Sequence, residues 1–160
     1  MRLDHADLPL VELKSNYRTL IHIARVRDLL NYAVTQLLQR GERHDATKLQ
    51  SPERECFAAA VPLNQLPYGS PAYAESRERL APALAHHYKH SRHHPEHFRN
   101  GIRGMDLVDL FEMFLDWKAA SEMSPGGDIM ISIRENTDRF GLPPELVSIF
   151  ENTAAAFAGA

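Results

Sequence analysis

The segment DLVDLFEMFLDWKAAS, residues 106–121, constrains the fold more than any other. Leu107, Val108, Leu110, Phe111, Met113, Phe114, Leu115 and Trp117 leave a helix apolar almost all round, and such a helix is covered by other elements. No segment alternates apolar and polar residues with period two over a strand's length, so those elements are helices as well. The expectation is therefore an all-α fold, a compact bundle of about six helices. A chain of 160 residues forms it as a single domain over 1–160 and buries a core without disulfides or a structural metal.

The remaining helices are read from spacing and punctuation. Ile23, Val26, Leu30, Ala33 and Leu37 recur at helical intervals between about Asn16 and Arg40, and Gly41 supplies a stop. Ser51-Pro-Glu-Arg reads as a helix start with Ser51 as N-cap, running to about Ala60. VPLNQLPYGSP, residues 61–71, carries three prolines and a glycine and reads as an ordered loop. A helix from Pro71 or Ala72 is expected to reach His94, with Pro82 as a point of interruption, because Pro95 disfavours helical geometry in the residue before it. Two shorter helices, about Asp128 to Phe140 and Pro144 to Phe157, flank a stop at Gly141.

Three constellations carry chemistry. On the apolar helix, Asp109, Glu112 and Asp116 fall at spacings of three and four and share one stripe. Burying an isolated carboxylate costs several kcal/mol, so Asp116, deepest in the apolar run, is paired, protonated or metal-bound. The ordinary alternative is a salt bridge to Arg or Lys. The second constellation is HHYKHSRHHPEHF, which holds six of the nine histidines. On a helix His86, His90 and His94 would stack at i, i+4 and i+8, with His87 and His94 two turns apart, so one face would present several imidazoles, the commonest metal-binding side chain. The third is HDATK, just past a helix stop. There two neighbours, His44 and Asp45, can point at one ion, which a helix forbids because its successive side chains diverge by about 100°. Lys48 would add the positive charge that a phosphate needs; an ion pair with Glu53 or plain solvation is its ordinary alternative.

Mixed imidazole and carboxylate donors suit Mn, Fe, Co, Ni or Zn, as one or two ions, better than Ca or Mg. Cys56 is alone, which excludes a disulfide framework and a thiolate zinc knuckle and fits a reducing compartment. A net charge of −3 offers no long-range field to gather nucleic acid or an acidic membrane. The N-terminus has no signal-peptide pattern, and no apolar run approaches a membrane span, so the expected location is cytoplasmic.

The order His-Asp, histidine cluster, lone Asp on an apolar helix, with HDATK similar to an H-D-x-x-K motif, resembles the HD-domain superfamily of metal-dependent phosphohydrolases. More closely, the chain looks like an uncharacterised family of small bacterial and phage HD-type proteins. The stretches HIARV, HDATKLQSPE, YGSPAY, HHYKHSRHHPEHF, GMDLVDLFEMFLDWKAAS, DIMISIRENTDRFG and IFENT carry that likeness over most of the chain. The resemblance implies a helical bundle with metal held by His22, His44, Asp45 and Asp116. Further ligands would come from His87, His93 or His94, and Lys48 would touch substrate or a bridging water. One departure stands out. Superfamily members place two helices between the first His and the His-Asp pair, whereas LLNYAVTQLLQR contains no breaker. If Arg18 to Arg40 is one straight helix, His22 lies roughly 27 Å from its end, too far to share an ion with His44. Either the helix breaks or His22 is not a ligand.

The resemblance and the three constellations together lead to the expectation of a phosphohydrolase for a small phosphorylated substrate such as a nucleotide. Lys48 and one of His90 or His94 would stabilise or protonate phosphate oxygens, and Glu112 would orient a ligand or act as general base. Arg134 and Arg139 would hold further phosphates, or simply be solvated. Trp117 and Tyr88 would stack on a base or pack in the core. A non-catalytic metal- or nucleotide-binding module and a di-iron oxygenase of HD type are the competing classes, and a homo-oligomer is open to each.

Overall fold

The computed structural model describes residues 9–60, 63–67 and 69–159, apart from the side chain of Asn64. Among them the chain is all-α, with six α-helices and no strand: α1 Leu10–Arg43, α2 Glu53–Ala59, α3 Pro71–His90, α4 Leu107–Met123, α5 Ile129–Phe140 and α6 Pro144–Ala156. Short 3₁₀ turns at Ala46–Leu49, Leu63–Gln65, Pro95–His97 and Gly101–Gly104 lie between them. Residues 61, 62 and 68 of the expected 61–71 loop lie outside the described residues. No described helix is long and apolar enough to cross a membrane.

The chain divides into two compact units, Met1–Gln39 and Arg40–Ala160. The first consists, over its described helical residues, of α1 up to Gln39. This helix starts six residues earlier than the spacing predicts and passes Gly41 without stopping. No residue of α1 is buried, and Leu10, Val11, Tyr17 and Leu30 are among its exposed apolar side chains. It contains no break between His22 and Arg43. His22 itself is exposed.

In the second unit α4 is packed as its sequence predicts. Met113 and Phe114 form the core with Ile133 of α5, Leu142, and Phe150 and Ala154 of α6. Phe114 lies stacked on Phe150 at 5.8 Å, and burial of one such ring stabilises by about 2–3 kcal/mol. Trp117 packs on the ring of Phe140 in a parallel arrangement and meets Phe150 edge-on, a core role. The helix is not covered on every side, because Leu107 at its first turn is 83% exposed. Its start is fixed by a reciprocal cap: the Asp106 carboxylate accepts from Val108 and Asp109 backbone amides, and Asp109 accepts from the Asp106 amide.

The histidine-rich helix ends earlier than expected. α3 starts with Ser70 Oγ accepting from the Tyr73 amide, runs through Pro82, and stops at His90. Ser91 and His94 are extended, and Pro95 opens the next 3₁₀ turn. The bias that proline imposes on its predecessor thus acts on a chain that has already left the helix. α2 starts at Glu53, one residue beyond the expected proline, with no side-chain cap. Asp128 caps α5, and Gly141 closes it in the left-handed conformation, φ 61°.

Candidate metal centre

Among the described residues two trios of side chains converge in the second unit: His87, His93 and His94, and His44, His93 and Asp116. In each, one donor atom per residue lies within 4.8 Å of the others, so each could hold a metal ion. His93 belongs to both. Only His87 and Asp116 are presented by helices, α3 and α4. His44 and Asp45 come directly after the last turn of α1, and His93 and His94 come after the end of α3. Off the helix, neighbours are freed from the angular divergence of helical side chains, and two adjacent donors can serve one region. Asp45 takes up a left-handed conformation at φ 56°, which Asp tolerates better than most residues.

Asp45 stands between the trios. Its Oδ1 lies 3.2 Å from His87 Nε2 and 3.6 Å from His93 Nε2, and its Oδ2 lies 3.7 Å from His44 Nε2. Asp116 Oδ1 is 3.4 Å from His44 Nε2. Lys48 Nζ donates to Asp45 Oδ2 at 2.6 Å and lies over the Phe57 ring. The lysine thus pairs with Asp45, while Glu53 takes the Thr47 hydroxyl.

The other ring nitrogens of His87, His44 and His93 are tied back to carboxylates. Glu53, fully buried, lies 3.0 Å from His87 Nδ1 and 2.7 Å from His86 Nδ1. Glu112 Oε1 lies 3.0 Å from His44 Nδ1 and 3.3 Å from His93 Nδ1, and its Oε2 accepts from Arg40. A carboxylate at Nδ1 holds the proton there and leaves the Nε2 lone pair for a cation, the usual arrangement behind a ligating imidazole. Glu112 therefore has the geometry of the orienting group, not of a base.

Burial and the carboxylates pull the imidazoles in opposite directions. Hydrogen bonding to Asp116 and then Glu112 outweighs burial and raises the His44 imidazole to about 10. Burial first, then its neighbours His93 and His87, push His94 down to about 3. Burial raises Asp45, but His87 and Lys48 overcome it and hold the carboxyl well below its ordinary range. Asp116 and Glu112 are likewise held low: burial raises each, but His44 and His93 together, with Arg40 at Glu112, overcome it.

Two observations test whether a cation suits these donors. Among the described residues Asp45 Oδ1 and His93 Nε2 are buried without a well-formed hydrogen bond and face each other at 3.6 Å, with His87 Nε2 3.2 Å from Oδ1. Leaving such atoms unpaired costs on the order of 1–3 kcal/mol each, which a shared cation would offset. His87 Nε2 and His94 Nε2 face each other at 3.1 Å. Two nitrogens bound to one ion at about 2.1 Å lie about 3.0–3.4 Å apart, depending on the bond angle. The donor set fits a metal.

Other expected site residues lie elsewhere. His90 is exposed, its Nδ1 on the His86 carbonyl at 2.8 Å, and belongs to neither trio. The expected i, i+4, i+8 histidine face does not form, because His94 is off the helix and His86 turns to Glu53. Arg134 is exposed. Arg139 pairs with Glu96 and reaches the Tyr88 hydroxyl. His22 lies in the first unit and in neither trio.

The stripe on α4 also resolves differently from expectation. The most buried acid is Asp109, fully inaccessible, not Asp116, whose side chain is 26% exposed. Asp109 is paired: Arg92 grips both its oxygens, at 3.0 and 2.7 Å, and Arg40 donates to Oδ1 at 2.6 Å. Sequence reading missed Arg40, Arg92 and the orienting role of Glu53.

A family model matches residues 11–156, thus α1 through α6 and every residue of both trios. The chain belongs to DUF5662, a family of unknown function. Comparison of this DUF5662 member with the curated proteins and with the solved structures finds no match.

Proposed function

We propose that this protein is a metal-dependent phosphohydrolase of HD type, acting on a nucleotide or related phosphate ester or anhydride with an activated water as nucleophile. The observation that supports this reading most is the convergence of two donor trios beside Asp45, whose buried Oδ1 faces the buried Nε2 of His93 at 3.6 Å. The likeness of HDATK and the later Asp116 to the HD pattern supports it from the sequence. Held there, a divalent transition ion of Mn, Fe, Co, Ni or Zn type would supply a bound water of lowered pKa and polarisation of a phosphoryl oxygen.

The chain's own residues do the rest. His44, His93, Asp116, His87, His94 and Asp45 supply donors, with Asp45 between the two trios. Glu53 and Glu112 fix the ring tautomers. Lys48 carries an ammonium beside Asp45, where it can meet a phosphate oxygen and stabilise charge as the ester bond breaks. His94 is held neutral by burial and by its neighbours, as a donor must be, and exposed His90 lies in neither trio.

The test is metal analysis of protein purified without a nickel column, with hydrolysis assays over mono-, tri- and cyclic nucleotides. Asp45→Ala is expected to lose bound metal and at least a hundredfold in turnover. Wild-type turnover in that variant overturns the assignment. Retained metal without turnover of any phosphate ester points to a binding module, and iron with oxygen uptake to an oxygenase.

A further inference from the structure

Beside the His87, His93 and His94 trio lies a cleft of about 340 Å³. Phe57, Leu63, Leu80 and Leu84 line it, together with Lys48, His87, Tyr88 and His94. The polar members are unevenly distributed. Lys48 is bound to Asp45, and His87 and His94 are donors of one trio, so three of the four already belong to the metal centre. The fourth, Tyr88, lays its ring 4.8 Å from that of His94 and turns its hydroxyl to Arg139. Away from the donors, the lining is hydrocarbon and aromatic ring.

We propose that this cleft binds the organic part of the substrate and selects a compact apolar or aromatic body, with its phosphate directed to Lys48 and the donors, which narrows the phosphate esters proposed above to those without a sugar next to the phosphate. The inference rests on the reading that those donors attract a phosphoryl group. The cleft's volume is at the small end of ligand sites, which span about 300–1,000 Å³, enough for a ring but not for an extended chain. A sugar entering it would surrender the hydration of several hydroxyls, whereas the described lining offers them few partners outside the donor set. A ring loses only unfavourable contact with water and gains contact with Phe57 and Tyr88 in the lining.

The experiment titrates the full chain, loaded with manganese(II), with phenylphosphonate and with methylphosphonate, two non-hydrolysable anions with the same head group. Phenylphosphonate is expected to bind at least tenfold more tightly. Leu84→Trp, which fills the cleft, is expected to abolish that advantage and leave methylphosphonate affinity unchanged, with circular dichroism and metal content verifying the fold. If that variant does not fold, Phe57→Ala is expected to reduce phenylphosphonate affinity alone. Equal affinities, no binding of either anion, or indifference of phenylphosphonate to these substitutions overturns the inference. Selective binding without hydrolysis of phenyl phosphate leaves the cleft assignment standing and refutes the catalytic reading. Turnover of phosphate esters with equal phosphonate affinities does the reverse.

Discussion

An imidazole gives a lone pair to a cation only when its other nitrogen keeps the proton, so each ligating histidine needs an acceptor behind it. Glu53 does this for His87 and Glu112 for His44 and His93. Glu53→Gln removes the charge that fixes His87 while preserving shape. Metal affinity, read by competition with a chromogenic chelator, is expected to fall 10- to 100-fold with the helical circular dichroism spectrum unchanged. His44, Asp45 and Asp116 were legible in the sequence because a turn after a long helix and a carboxylate in an apolar run both demand an explanation. Glu53 was not. It sits at a helix start among charged neighbours, where a solvated acid is ordinary, and only the tertiary approach of α3 makes it a buried acceptor.

At the scale of elements, Asp109 joins three pieces of the second unit: the last turn of α1 through Arg40, the turn after α3 through Arg92, and its own helix start through the Asp106 amide. Asp109 is inaccessible, but Arg40 and Arg92 are 22% and 46% exposed, so losing the carboxylate leaves partly solvated guanidiniums, at about 1–3 kcal/mol. Asp109→Asn is expected to lower unfolding free energy by roughly this amount at pH 7 in urea titrations. Burial raises the Asp109 carboxyl, but Arg92, the Asp106 amide and Arg40 overcome it and hold the group below its ordinary range. Its contribution is thus complete above the unfolded carboxyl pKa, about 4, and drains away as pH falls toward the lower folded value. The gap between variant and wild type should therefore narrow at pH 3; an unchanged gap would show that ionisation is not its source. Element types were legible from period and punctuation, and helix ends less so. The sequence extends α3 to His94, yet the chain leaves the helix at His90, and this early exit is what brings His93 and His94 together. The signal, a proline at 95, was present, but its reach of one residue understates where the helix stops.

For the whole molecule, a ligand that binds only the folded state stabilises it by mass action. Metal at a hundredfold excess over its dissociation constant adds about 2.7 kcal/mol, which for a chain of this size raises Tm by roughly 5–10 °C. Scanning fluorimetry at fixed protein concentration is expected to show that shift lost on chelation and regained on adding metal back. No change would mean that the donors hold nothing tightly. Family membership spans all six helices, so the donors and the scaffold that carries them lie within one matched stretch. The sharing of His93 between trios limits how that stretch can be loaded. One sp² nitrogen has a single electron pair and cannot bind two cations side by side. Whichever trio is loaded first claims His93, and the other must complete its shell from Asp45 and solvent. The pair would therefore charge in unequal steps, with a tenacious first ion and an exchangeable second.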